Sequence, residues 1–227
     1  RGPSLAKNSK KDNAVLVIGL GRFGAATADT LTKLDREVLA VDTDMDLVQQ
    51  WSELVTHTVQ ADVTRMEALQ QIGAGNFGTA VVAVGSSIEA SVLITANLVD
   101  LGIPQIWTKA VSESHGKILE RIGATHVIFP EVEAGERVAH LLNGQMLDFV
   151  EVDEDFAIVR MFPPRVLLGK TLAQAGIRNE YKITTVGVKK PGESFTYATA
   201  ETLIAEGDQI LVSGHPADIE KFAALPK

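Results

Sequence analysis

With 227 residues, 45% of them hydrophobic, the chain is long enough for two small domains, each with its own core. Its 21 basic and 29 acidic side chains leave a net charge of −8, which argues against nucleic acid or an anionic membrane surface as principal partner, since both need a basic face. The absence of cysteine excludes disulfides and thiolate metal sites and is compatible with a reducing cytoplasm.

The first residues, "RGPSLAKNSKK", lack the apolar centre of a signal peptide, and residues 1–12 read as a disordered tail. No apolar run approaches the ~20 residues of a membrane span, so direct membrane insertion is not expected. From residue 13, short β-branched runs alternate with helix-period stretches. Strands are predicted at 14–20, 37–42, 56–62, 79–85, 104–110 and 126–130, and helices at 22–34, 44–53, 64–71, 86–101 and 113–122. Each strand is an almost continuous apolar run, as expected where helices cover both faces of a parallel sheet. The alternation predicts an α/β, Rossmann-like, doubly wound domain over 13–132. A helix at 133–146 reads as a connecting arm.

The pattern then changes. Strands fall in pairs, 148–153 with 156–162 and 182–190 with 194–199, before a last one at 208–214. Short helices near 170–175 and 216–224 interrupt them, and "KKPGES" (189–194) has hairpin-turn chemistry. Residues 147–227 are therefore expected to form a small α+β domain.

"VLVIGLGRFG" (15–24) places Gly19, Gly21 and Gly24 between a strand and a helix, the context a dinucleotide fingerprint requires. Gly19 makes the tight turn, Gly21 admits a diphosphate to the backbone, and Gly24 lets helix and strand pack closely. The helix N-terminus adds N–H donors and positive dipole. Arg22 and Phe23 lie in the same turn and are counted with the site, although a plain dehydrogenase needs no cation there. Asp42 ends the second strand, where a carboxylate accepts from ribose hydroxyls and repels a 2′-phosphate. That favours NAD, ATP or ADP over NADP, and the alternative role is a helix N-cap.

Further candidates lie at the same carboxyl edge. Asp62 faces the base or caps the helix predicted from Thr64. Gly85, Ser86 and Ser87 form another wall, and Lys109 reaches the crevice or is a solvated surface cation. Glu131 either works through a divalent metal or cation partner, or biases the first turn of the following helix against its dipole. The small domain at 147–227 contributes one histidine, His215, and no nucleophile–base or paired-carboxylate arrangement. The remaining histidines lack metal-ligand spacing. The sequence points to ligand sensing rather than turnover, with an NAD-dependent oxidoreductase as the rival reading.

Three segments carry a family likeness: "VLVIGLGRFGAATADTLTKLDREVLAVD", "ALQQIGAGNFGTAVVAVGSSIEASVLITANLVDLGIPQIWTKA" and "ERIGATHVIFPEVEAGERVAHLL". With "LLGKTLAQAGIRNEY" and "AEGDQILVSGHPADIEKF" following in order, the chain from about 13 to 223 resembles the KtrA/TrkA family of RCK-domain (regulator of K⁺ conductance) proteins. The resemblance implies a cytoplasmic subunit, peripheral to the membrane, that gates a membrane potassium channel or transporter. It further implies homodimers assembling into a homo-octameric ring. It implies ATP and ADP, with NAD(H) as a further ligand, held by Asp42, Lys109 and the glycine loop. Arg22 would reach the terminal phosphates of a neighbour's ATP, and Glu131 would hold a cation such as Mg²⁺ or Ca²⁺ beside them. In some relatives the C-terminal domain binds cyclic di-AMP through Asp-x-Arg and a following Asn. Here the stretch reads Gly176-Ile177-Arg178, then Thr184-Thr185, so Arg178 is retained while its Asp and Asn companions are replaced.

Overall fold

The computed structural model describes residues 13–142 and 145–226, so the tail expected at 1–12 lies outside the described residues. The chain divides into two compact units, Arg1–Glu131 and Val132–Lys227.

In the first unit, six strands form one sheet: β1 (Ala14–Ile18), β2 (Glu37–Asp42), β3 (His57–Gln60), β4 (Thr79–Val82), β5 (Gln105–Lys109) and β6 (His126–Ile128). Every pairing is parallel and the order is β3-β2-β1-β4-β5-β6. The helices between them are α1 (Arg22–Lys33), α2 (Met45–Trp51), α3 (Met66–Gln71), α4 (Ile88–Asp100) and α5 (Glu113–Ile122). The sheet has apolar residues on both faces because successive strand side chains point to opposite sides. On β1, Leu16 and Ile18 enter one cluster with Leu69, Ile94 and Leu98, whereas Val15 and Val17 enter another with Ala28, Val38 and Val55. Chain order reverses between β1 and β4, which opens a crevice beyond the carboxyl ends of those strands. This is the doubly wound α/β sheet expected from the alternation.

On the α1 side, a groove of about 540 Å³ lies over β4 and β5, lined by Val15, Phe23, Leu31, Val81, Trp107 and Ile128 among others. The strand at 37–42 and the helix at 113–122 lie where expected, whereas the other predicted strands and helices of this unit overran an end by one to three residues. Crevice-lining segments such as Gly19–Leu20 and Ala83–Gly85 are apolar or small yet lie outside the strands, in irregular backbone.

Helix α6 (Pro130–Leu142) begins three residues before its expected start. Its predicted end at 146 is corrected: Met146 opens β7, and residues 143–144 lie outside the described residues. The second unit holds β7 (Met146–Asp153), β8 (Phe156–Met161), β9 (Thr184–Lys189), β10 (Thr196–Tyr197) and β11 (Gln209–Gly214). All pair antiparallel, in the order β10-β9-β11-β8-β7. Short helices α7 (Leu172–Ala175) and α8 (Ile177–Tyr181) precede β9, and α9 (Pro216–Ala223) closes the unit. Ala157, Val159 and Met161 alternate along β8 into a core shared with Ile210, Val212 and Phe222. Within this unit α6 is fixed by Arg137 Nη2 donating to Asp148 Oδ1 (2.6 Å) and by the His140 ring stacked on Phe149 (3.8 Å between centroids).

Candidate nucleotide site

The crevice is built first by glycines. Gly19 turns the chain out of β1 at φ +95°, and a side chain there would press within 3.2 Å of the Ala83 backbone at the end of β4. A Cβ on Gly24 would collide with the Gly19 carbonyl oxygen, so α1 can approach the turn only without one. Gly21 differs: a Cβ there meets nothing within 4 Å, so this side of the loop lies open. Gly21 is also the N-cap of α1, with no side-chain cap, and the first turn carries no acidic residue. An uncapped helix N-terminus beside an open backbone suits an anion.

Asp42 secures the loop. Its Oδ2 accepts from the Leu20 N–H at 2.6 Å and its Oδ1 from the Asp44 N–H at 2.9 Å. The N-cap of α2 is Asp44, whose side chain accepts from the Asp46 N–H. The cap alternative for Asp42 is thereby removed. Each carboxylate oxygen accepts more than one bond, so Asp42 keeps capacity for ribose hydroxyls at the mouth of the crevice.

Asp62 is exposed and local in its bonding. Its Oδ1 accepts from both the Thr64 hydroxyl (2.7 Å) and the Thr64 N–H (3.1 Å), which holds the carboxyl below its usual pKa. The helix expected from Thr64 starts at Met66, so Asp62 forms a turn and caps no helix. Ser87, rather than Ser86, caps α4 by accepting from the Ala90 N–H, which leaves Ser86 exposed beside Gly85.

The opposite wall is charged. Lys109 ends β5, and its Nζ lies 2.6 Å from Glu131 Oε1 at the start of α6. The lysine side chain is only 13% exposed while the glutamate is 63% exposed, so Lys109 is not a solvated surface cation. Its hydrogen bond, with a smaller contribution from the Arg22 charge, holds the Glu131 carboxyl below its usual pKa. Gly85 completes this wall: a Cβ there would stand 3.4 Å from Lys109 Nζ and 3.5 Å from Val111 Cγ1.

Gly19, Gly21, Gly24, Arg22, Asp42, Gly85, Lys109 and Glu131 thus converge on one sheet edge. The Phe23 ring turns to the α1-side apolar cluster, leaving its backbone as its part in the loop. Arg178 is exposed on α8 in the second unit. Sequence reading gave Lys109 and Glu131 separate roles. Their pairing depends on β5 and β6 being neighbours, which no local motif signals.

Among the described residues no group of three His, Asp or Glu side chains could hold a metal ion. Glu131 alone is therefore an incomplete site, although Mg²⁺ is commonly held by one carboxylate together with substrate phosphates. No helix among the described residues is long and apolar enough to cross a membrane.

This is the architecture of a nucleotide-binding α/β domain joined to a small antiparallel domain. Residues 15–130 match the TrkA-N domain and residues 157–227 the TrkA-C domain, and the chain belongs to that family. It is 35% identical over 213 residues to the Ktr system potassium uptake protein A of Bacillus subtilis, covering 93% of this chain and 96% of that one. It is 36% identical to the same organism's Ktr system potassium uptake protein C, over 94% and 96%. Among solved structures, the GsuK RCK domain superposes with a TM-score of 0.67 at 17% identity, covering 95% of this chain. A GsuK channel bound to NAD gives 0.67 at 16% identity, also over 95%. The chain spans about half the length of the first and two fifths of the second, and both likenesses concern the fold.

Proposed function

We propose that the chain is a cytoplasmic, nucleotide-sensing regulatory subunit of a potassium uptake system, acting on a membrane channel or transporter partner. The observation that carries this reading is the charged wall of Lys109 and Glu131 facing an open glycine loop that bears Arg22. Relatives named as potassium uptake proteins, similar over nearly their full length, support the transport context. The site offers phosphate and ribose recognition, and its lysine, Lys109, is engaged by Glu131 rather than presented as a free base, which favours a sensor over an oxidoreductase.

The ligands of this reading are ATP and ADP, with NAD(H) as a competitor for the same loop; a structural neighbour described as bound to NAD supports including it. Arg22 is the residue that distinguishes ATP from ADP. A guanidinium is a permanently charged, planar fork for phosphate oxygens, and its place in the first turn of α1 leaves it free to serve a nucleotide held by a second copy. Glu131 would supply one carboxylate to Mg²⁺ or Ca²⁺ at the terminal phosphates.

A homodimer, and from it an octameric ring, is the assembly expected. The uncovered apolar groove over β4 and β5 supports a partner surface in the first unit. Two ring geometries differing in affinity for ATP and ADP would transmit the signal, because a ligand that binds both equally shifts neither.

Calorimetric titration with ATP, ADP, NADH and cyclic di-AMP, with and without Mg²⁺, tests the proposal. ATP and ADP binding, with ATP strengthened by the metal, is the expected result. NADH binding with ATP silent would return the oxidoreductase reading. Binding of cyclic di-AMP that is lost in Arg178→Ala would assign a second ligand to the second unit.

A further inference from the structure

We propose that His115 is a positioning residue for the β5 wall of the crevice, holding the Ala110–Val111 turn, and with it Lys109, through a hydrogen bond that exists only while its ring is uncharged. The inference rests on the nucleotide reading of that crevice and adds a proton-dependence to it.

His115 sits in the first turn of α5, 1% exposed. Its own N–H donates to Oγ of Ser112, the helix cap, at 3.2 Å. The ring folds back so that Nδ1 accepts from the Val111 N–H at 3.3 Å. An accepting Nδ1 fixes the tautomer with the proton on Nε2. Among the described residues that Nε2 has no partner, and neither has the buried Oγ of Ser91 on α4, the helix packed against α5. The ring is held by one bond alone, on the side toward the crevice.

Val111 follows Lys109 by two residues. Ala110, between them, is pinned to β6 by its N–H donating to the Ile128 carbonyl at 2.8 Å. The Val111 side chain and the Lys109 ammonium lie together against Gly85. The chain of contacts therefore runs from imidazole to Val111, and from Val111 to the Lys109–Gly85 wall.

Three features keep the ring neutral: burial, the positive end of the α5 dipole, and the Val111 donor aimed at Nδ1. Burial holds the His115 pKa below its usual value. Among the described residues no carboxylate compensates. Glu89 and Asp100 of α4 are exposed, as are Glu113, Lys117, Glu120 and Arg121 of α5 and His126 of β6. Glu131, the carboxylate nearest the wall, is engaged by Lys109. The sign follows. With a depressed folded value, the ring's contribution is complete above the unfolded value of about 6.5 and is lost as pH falls through the folded one. Protonation turns Nδ1 from acceptor to donor against the Val111 N–H and releases the turn.

The test uses the full chain and three forms, the native protein, His115→Asn and His115→Leu. Asn presents an acceptor oxygen in place of Nδ1 without titrating, and Leu presents none. ADP affinity is measured from pH 7.5 to 5, and Val111 and Lys109 amide resonances are followed in nucleotide-free protein over the same range. The native protein is expected to lose about fivefold more affinity than His115→Asn across that range, corresponding to one neutral hydrogen bond. His115→Leu should be about fivefold weaker already at pH 7.5. The Val111 and Lys109 amides should titrate together in the native chain and stay still in His115→Asn. Identical pH courses for native and His115→Asn would overturn the proposal. Amides that titrate as expected in a protein that binds no ADP at any pH would uphold the positioning role and overturn the nucleotide reading instead.

Discussion

Gly21–Arg22 in the first unit and Gly176–Arg178 in the second are alike in local chemistry and differ in what surrounds them. Arg22 opens a twelve-residue helix whose N-terminus is uncapped, beside an open loop, with Asp42 on one side and the Lys109–Glu131 pair on the other. Arg178 lies on a five-residue helix, exposed, beside Gly176, which has no side chain to offer. A phosphate needs several donors converging from rigid elements, and one arginine on a short helix supplies only one of them. A recognisable residue becomes a site only when the fold gathers partners around it.

The largest expected effect comes from the loop geometry. Gly24→Ala drives a Cβ into the Gly19 carbonyl and should cost about 3 kcal/mol or more in thermal or denaturant unfolding. Gly176→Ala, where an added Cβ meets no atom within 4 Å, carries only the strain of its left-handed backbone and should cost about 1–2 kcal/mol. Equal losses at the two glycines would erase the contrast between the units.

Next is Arg22→Ala. Loss of one charge-assisted contact corresponds to about 2 kcal/mol, so ATP affinity should fall roughly thirtyfold while ADP affinity stays within about twofold. Arg178→Ala should leave both nucleotides unchanged in the same titration. A loss of ATP binding in Arg178→Ala would place phosphate recognition in the wrong unit for this account.

Lys109→Met removes the partner of Glu131 and should weaken ATP and ADP together, by about tenfold. Glu131→Gln keeps the lysine and should abolish only the strengthening of ATP by Mg²⁺. The smallest effect concerns pH. Because Lys109 holds the Glu131 carboxyl below its usual range, the pair is fully formed at neutral pH and is lost only as pH falls through that lowered value. In His115→Asn, the change in ADP affinity between pH 7.5 and 5 should therefore be only that of the ligand's own phosphate, whose second ionisation lies at about 6.

The first unit was largely legible in the sequence, since parallel strands buried on both faces announce themselves as apolar runs. Glycine spacing after β1 located the crevice, and Asp42 at the end of β2 followed from it. The exact role of Asp42 in tying Leu20 and Asp44 was not legible, because those bonds depend on how two turns meet. Lys109 with Glu131, and His115 with Val111, depend on packing between elements or on a ring folding back along its helix. Neither leaves a periodic signature. In the second unit, α8 went unread because five residues make barely more than one helical turn, too short for periodicity. The expected end of the connecting helix at 146 overran the Asn143-Gly144 pair, whose chemistry is that of a helix stop, and Met146 is claimed by pairing with Met161.

The most direct test of the central claim is parallel calorimetry of ATP and ADP, each with and without Mg²⁺, on the native chain and on Arg22→Ala. The metal is expected to strengthen ATP alone, and Arg22→Ala to remove most of the ATP preference while sparing ADP. Equal losses for both nucleotides would make Arg22 a general phosphate contact and contradict the sensor.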